Sequence, residues 1–187
     1  MEKIISLYRR NYDGNRLIRN EIVEGAEWVP AGEGIATRKF DGTCCRFKDG
    51  VLYKRYDAKK GKIPPPDFEP AQAPDSVTGH WPGWVPVSPD NPADRWHLEA
   101  LQTAGETLTD GTYELCGPKV QGNPEGFEAH LLIPHGKETL HAPRGFDGLR
   151  EFFKAQNVEG IVWHHPDGRM VKIKARDYGL KRPQVVS

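Results

Sequence analysis

The sequence has little cysteine and no long apolar run. It contains three cysteines, two of them adjacent at Cys44 and Cys45, and an odd count without a spacing pattern argues against a disulfide framework. No run of about 18 apolar residues occurs, so no membrane-spanning helix is predicted. The first residues are too poor in apolar side chains for a secretory signal peptide. We therefore expect a cytoplasmic protein that acts without a membrane.

Net charge is also absent, because 26 basic and 26 acidic residues cancel, and this balance alone argues against a nucleic-acid partner. The charges are nevertheless segregated along the chain. Residues 38–62 carry nine Lys or Arg against three Asp, and residues 169–182 carry six against one, whereas residues 63–128 carry two against eleven acidic residues. The two basic segments can form a phosphate-binding surface or can be ordinary solvated strand faces.

Proline is concentrated in one stretch. Residues 61–94 hold nine of the 16 prolines, so this stretch is predicted to contain neither a long helix nor a central strand. We interpret it as an ordered loop or irregular insertion, rich in Pro and Trp, at about residues 61–96 of one domain that covers residues 1–187. Its tryptophans are expected to anchor the later half in the core.

Two hairpins and one helix are predicted from local patterns. Asp49-Gly50 lies between two alternating segments, which is typical of a type I′ turn. A second hairpin spans residues 158–175, where alternation places Glu159 on the face of Ile161 and Trp163. Residues 147–156 form a helix with Asp147 as a plausible N-cap and an apolar core stripe.

Lys39 ends an apolar run two residues before the Asp41-Gly42 turn. A lysine becomes a nucleophile when burial or nearby positive charge favours its neutral amine. Lys-x-Asp-Gly alone also occurs by chance in unrelated loops, where such a lysine is simply exposed. Lys172 and Lys174 share one strand face and repel each other unless an anion binds there.

Glu114 lies on a short strand that begins at Gly111. Alternation puts its carboxylate opposite Tyr113 and Leu115, where it suits a ribose hydroxyl or a metal, or is an ordinary outward-facing glutamate. The cysteines and the pair His164-His165 lack recognised ligand spacing, so no metal cluster is predicted from them.

Taken in order, five elements resemble the motif series of the covalent nucleotidyltransferases, the superfamily of polynucleotide ligases and messenger-RNA capping enzymes. They are Lys39-Phe40-Asp41-Gly42, Arg55, Glu114, Glu159-Gly160-Ile161-Val162 and Lys172-Ile173-Lys174. Further strings, including Pro82-Gly83-Trp84-Val85 and the segment from His130 to Gly136, are similar to the small ATP-dependent 5′-to-3′ RNA ligase family known from vertebrates. That family usually has a histidine at the position of Lys174, so Lys172 is the firmer phosphate contact.

The resemblance implies an α+β nucleotidyltransferase (adenylation) domain. Antiparallel β-sheets would flank a nucleotide cleft, with few helices and no separate C-terminal domain. Lys39 would attack the α-phosphate of ATP and form lysyl-AMP by auto-adenylylation, and Arg55, Glu114, Lys172 and Lys174 would bind the nucleotide.

The resemblance also implies cofactors and partners. Glu159, with Asp41 as a helper, would hold Mg²⁺ or Mn²⁺, and the substrate would be RNA with 5′-phosphate and 3′-hydroxyl ends, as in RNA repair. We expect a monomer.

Three alternatives stay open. A GTP-dependent capping enzyme carries a further domain after the last lysine strand, and here the sequence ends about a dozen residues past Lys174, so we expect no such domain. A DNA nick ligase is the second alternative. A non-catalytic RNA- or nucleotide-binding module is the third, from a different class.

Overall fold

The computed structural model describes residues 4–182 and has a mixed α+β architecture. These residues contain two α-helices and three antiparallel or mostly antiparallel sheets. They divide into two compact units. Residues 41–135 form one, here called the six-stranded unit, and residues 4–40 with 136–182 form the other, here called the four-stranded unit. The expected single domain over residues 1–187 stays a prediction.

The regular elements follow one another in this order. The first strands are β1 (Ile5–Ser6), β2 (Tyr8–Arg10), β3 (Ile18–Ile22), β4 (Ile35–Lys39), β5 (Thr43–Lys48) and β6 (Val51–Ala58). Next come β7 (Glu69–Pro70), β8 (Trp81–Pro86), α1 (Arg95–Ala104), β9 (Gly111–Cys116) and β10 (Leu131–Pro134). The last are α2 (Phe146–Ala155), β11 (Gly160–His164) and β12 (Met170–Lys174). Within residues 4–182, no helix has the length and apolar character needed to cross a membrane.

The six-stranded unit is built on the first predicted hairpin. Its sheet has the order β10-β9-β5-β6-β8-β7 and is antiparallel throughout. Asp49 and Gly50 have φ of 51° and 79°, which confirms the type I′ turn between β5 and β6. Tyr113 and Leu115 lie in the core cluster, as alternation predicted, and Cys45 packs with them.

The proline-rich stretch contains an interior strand, so the prediction that it could not was wrong. β8 pairs with β6 on one side and with the two-residue β7 on the other. Pro82 accepts a hydrogen bond from the Ala71 N–H, so its ring nitrogen faces this outer side. Pro86 lies four residues further along β8, so its ring nitrogen faces the same side. Both prolines therefore lack an N–H only on the side of the short strand β7, where none is needed. The predicted core role of Trp84 is confirmed, because it is fully buried.

Helix α1 follows this stretch and was not predicted. It begins at Arg95, at the end of the predicted insertion, and it buries His97 and Ala100. Trp96, on the same helix, stacks on the His130 ring at 4.5 Å between centroids. The helix was missed because it begins inside the predicted proline-rich insertion, where the prolines argued against a helix.

The four-stranded unit is built on the second predicted hairpin. β11 and β12 are antiparallel neighbours, β4 pairs with β11, and β1 adds to β12 in parallel. Helix α2 packs Leu149 and Phe153 into the core of this unit, so the predicted core stripe is confirmed. The N-cap is Gly145 and not Asp147. Asp147 lies in the first turn, where its negative charge interacts favourably with the helix dipole.

Candidate active site

Lys39, the last residue of β4, belongs to a row of directly opposed residues that crosses β4, β11 and β12. It is directly opposite Gly160, which is in turn opposite Lys174. Directly opposed residues of neighbouring strands put their side chains on the same face of a sheet. Gly160 has no side chain, so the middle residue of this row places no side chain between the two lysines. A Cβ at Gly160 would come within 2.3 Å of the Ile173 carbonyl oxygen, so the close strand approach requires glycine here.

Glu159 joins the two lysines. The ammonium of Lys39 donates to its Oε2 at 2.6 Å, and that of Lys174 donates to its Oε1 at 2.6 Å. The three side chains are 21%, 14% and 11% exposed for Lys39, Lys174 and Glu159, so water screens these ion pairs only in part.

The predicted face of Glu159 was wrong. Alternation placed it with Ile161 and Trp163, which are both fully buried in the core on the other side of the sheet. Glu159 precedes β11, which begins at Gly160, so the period of two does not extend to it. Its carboxylate instead reaches the lysine face.

Lys172 completes a cluster of three lysines and one glutamate, here called the lysine cluster. As predicted, Lys172 and Lys174 share one face of β12, and Val171 and Ile173 are buried on the other. Burial, followed by the charges of Lys174 and Lys39, lowers the pKa of Lys172 to about 8. Lys172 is therefore still mostly protonated at pH 7, but it loses its proton at a lower pH than an ordinary lysine.

The charges of the lysine cluster do not cancel. Burial raises the pKa of Glu159, but the charges of Lys39 and Lys174 and their hydrogen bonds outweigh it, and the net shift is downward. Glu159 is therefore ionised at neutral pH, so the cluster itself holds one negative charge and three lysines, and Asp177 is a second carboxylate that acts on Lys172. Such a surplus of positive charge on partly buried groups is what a phosphate group compensates.

The remaining predicted site residues lie in the six-stranded unit. The Arg55 guanidinium stacks on the Trp84 ring, 4.9 Å from its centroid, and burial lowers the pKa of Arg55. Arg55 also lines a cavity of about 410 Å³ together with Asp57, Asp75 and His80. Asp41 donates its backbone N–H to a carboxylate oxygen of Glu125 at 2.8 Å.

Glu114 is buried and not outward-facing. It is 7% exposed, its Oε1 accepts from the Gly42 N–H at 3.2 Å, and its Oε2 lies 2.9 Å from His135 Nε2. Sequence reasoning did not assign His135 to a site. His135 follows the short apolar strand β10 directly. Because β10 pairs with β9, this position places the histidine beside β9.

The structure thus brings together Lys39, Glu159, Lys172 and Lys174 in the four-stranded unit. Arg55, Glu114 and Asp41 belong to the six-stranded unit. Glu159 offers the hard oxygen donors that Mg²⁺ prefers, and each of its two oxygens holds an ammonium group. A metal ion held by Glu159 would share these oxygens with the ammonium groups or displace one of them.

Comparison with known proteins gives consistent matches. The family model described as RNA ligase 1 matches residues 101–186, which include Glu114, Glu159, Lys172 and Lys174. RNA ligase 1 of Pongo abelii is 30% identical over an alignment 223 positions long, gaps included, which covers 80% of this chain and 68% of the relative. RNA ligase 1 of Danio rerio is 35% identical over 138 residues, covering 56% of this chain and 42% of the relative. RNA ligase 1 of Rattus norvegicus is 27% identical over 227 residues, with 80% and 68% covered. The chain thus spans less than half of the Danio rerio relative and about two thirds of the other two.

Proposed function

Because the chain belongs to the RNA ligase 1 family, we propose that it is an ATP-dependent RNA ligase with a nucleotidyltransferase fold that uses Lys39 as its nucleophile. The observation that carries this proposal is the lysine cluster, in which Lys39 of β4 lies beside two lysines of β12 on one face of the sheet. A nucleophilic lysine next to other cations and partly shielded from water is the arrangement that attack on a polyphosphate needs.

The proposed reaction has three steps. The amine of Lys39 attacks the α-phosphorus of ATP, so that a P–N bond forms, the bond to the β-phosphate oxygen breaks, and pyrophosphate leaves. The 5′-phosphate of RNA then attacks the same phosphorus and takes the AMP from Lys39. Finally a 3′-hydroxyl attacks the activated 5′-phosphate, and AMP leaves as the phosphodiester bond forms.

Lys39 must be a neutral amine in the first step, and Glu159 holds its ammonium form. The positive charges of Lys172 and Lys174 act in the opposite direction, because they disfavour a third proton on the same face. Binding of the triphosphate favours charge on Lys172 and Lys174. Once Lys39 carries AMP it is uncharged, and Oε2 of Glu159 loses its partner.

Two further assignments belong to this proposal. Mg²⁺ or Mn²⁺, when bound, neutralises phosphate charge, and Glu159 with Asp41 would hold it through carboxylate oxygens. Arg55 and Glu114 contact the ribose and orient the nucleotide, since a buried carboxylate accepts readily from sugar hydroxyls.

Covalent labelling tests the nucleophile. We expect α-labelled ATP with Mg²⁺ to label the wild-type chain in an acid-labile form, and Lys39→Ala to abolish the label. Lys137→Ala, which changes an exposed lysine of the same unit, is the matched control and should label normally. Equal labelling of Lys39→Ala and wild type would refute the mechanism. Labelling by GTP in place of ATP would favour the capping alternative.

A joining assay tests the substrate. We expect sealing of single-stranded RNA that has a 5′-phosphate and a 3′-hydroxyl, and little sealing of nicked DNA. Joining of DNA alone would favour the nick-ligase alternative, and nucleotide binding without labelling or joining would favour a non-catalytic module. We place the activity in a monomer in the reducing cytoplasm, where the thiols of Cys44, Cys45 and Cys116 stay reduced.

A further inference from the structure

Three metal-ligating side chains meet on one face of the sheet in the six-stranded unit. They are Cys44 of β5, Glu114 of β9 and His135, which follows β10. Cys44 and Glu114 are direct cross-strand partners, so their side chains share a face. The sulfur, a carboxylate oxygen and an imidazole nitrogen all lie within 4.8 Å of one another.

Neighbouring groups orient the imidazole of His135 and the carboxylate of Glu114. The Thr112 hydroxyl lies 3.0 Å from His135 Nδ1, and the Gly42 N–H donates to Glu114 Oε1. These contacts leave His135 Nε2 and Glu114 Oε2 directed at each other, 2.9 Å apart. An outer hydrogen bond on the second ring nitrogen is the usual support of a metal-binding histidine, because it fixes the tautomer and the ring plane.

We propose that Cys44, Glu114 and His135 bind a thiophilic divalent cation, with Zn²⁺ as the best match. Sulfur, imidazole nitrogen and carboxylate oxygen are the three donor types that Zn²⁺ accepts, whereas Mg²⁺ takes oxygen ligands. Ligand atoms of a tetrahedral zinc site lie about 3.5 Å apart, so small side-chain rotations suffice from the observed spacing. Three protein ligands leave the fourth position open to water or another ligand.

The site has a consequence for the nucleotide. Glu114 is the carboxylate proposed above to contact the ribose, and a bound Zn²⁺ occupies its Oε2. Zinc at this site therefore competes with the nucleotide and inhibits adenylylation of Lys39. This consequence rests on the proposed function, whereas the binding of the metal does not.

Metal binding is tested on the whole chain without nucleotide. Zn²⁺ affinity is measured by competition with a chromophoric chelator, and Co²⁺ in its place reports a thiolate ligand through a near-ultraviolet charge-transfer band. We expect one Zn²⁺ per chain, and Cys44→Ser should weaken its binding by more than about 100-fold, because loss of an outer-shell partner alone costs roughly 10–100-fold. Cys45→Ala, which changes a thiol buried on the other face of β5, should leave the affinity unchanged.

Equal zinc affinity of the wild-type chain and Cys44→Ser would overturn the site, provided that thermal melting shows both to be folded. A Co²⁺ complex without the thiolate band would overturn it as well. His135→Gln supplies a second test, and it should weaken binding without removing the thiolate band.

The inhibition is tested by labelling at fixed ATP with increasing Zn²⁺. Wild type should lose label at zinc concentrations that leave Cys44→Ser labelled, and both should label equally without zinc. Equal inhibition of both chains would refute the competition while leaving the binding result intact. Absence of label in every chain, together with normal zinc binding, would refute the proposed ligase chemistry and not the site.

Discussion

Replacement of Lys172 by methionine should stabilise the protein at neutral pH and should abolish the adenylylation proposed above. The side chain is partly buried beside Lys174 and Lys39, and burial with these charges lowers its pKa to about 8. Methionine keeps an unbranched apolar stem of similar length, so it fills the same space without a charge. The change therefore isolates the electrostatic cost of one lysine from its packing.

The magnitude follows from the pKa shift. A lysine has an ordinary pKa of 10.5, so between pH 8 and pH 10.5 the unfolded chain binds more protons at this site than the folded chain. The free energy of unfolding therefore rises with pH across this window, and the full cost of the charge is present below pH 8. At about 1.4 kcal/mol per pKa unit, the cost is about 3 kcal/mol at pH 7 and about 1 kcal/mol at pH 9.5.

Urea unfolding of both chains at pH 7 and pH 9.5 measures this cost. We expect Lys172→Met to raise the free energy of unfolding by up to about 3 kcal/mol at pH 7, with the gain falling by more than half at pH 9.5. Lys137→Met, at an exposed position of the same unit, should change stability little at either pH. A destabilised Lys172→Met, or a gain that is the same at both pH values, would refute the reasoning.

Three smaller predictions follow from other contacts of the four-stranded unit. Gly160→Ala places a Cβ 2.3 Å from the Ile173 carbonyl oxygen and should cost about 1–3 kcal/mol in urea unfolding; an unchanged unfolding midpoint would contradict the close approach. Leu149→Ala empties a fully buried position of α2 and should cost about 2–5 kcal/mol by the same measurement. Glu33→Gln removes the main cause of the raised pKa of His165, so an NMR titration should show that pKa fall toward its ordinary value.

The parts of the fold that sequence reasoning predicted are those set by local chemistry. Asp49 and Gly50 favour a type I′ turn because both positions need positive φ, and the alternating segments on either side identified this Asp-Gly pair as a hairpin turn. Alternation worked inside β12 because Lys172 and Lys174 lie within a regular strand with buried residues between them. The α2 stripe was predicted for the same reason, since its period is a property of a single helix.

The parts that sequence reasoning missed depend on strand ends and on distant pairing. Glu159 lies one residue before β11, where alternation stops, and only its two ion pairs reveal its direction. β8 tolerates proline because its outer neighbour β7 is two residues long, a fact of sheet order that no local pattern contains. The grouping of Cys44 with His135 likewise requires that β5 and β10 both pair with β9.

The lysine cluster departs from the rules that the rest of the four-stranded unit obeys. Most side chains with little exposure on this sheet are apolar, as Val171 and Ile173 are, and the buried hydroxyl of Thr37 donates to the Val162 carbonyl oxygen. Lys172 is partly buried beside Lys174 and Lys39, which lowers its pKa, and Gly160 lacks a side chain where a Cβ would lie 2.3 Å from the Ile173 carbonyl oxygen. Local choices that work against folding persist where activity needs them. The three lysines of the cluster therefore support the proposal that this face binds an anionic substrate, because such an anion would add to the negative charge of Glu159 and Asp177.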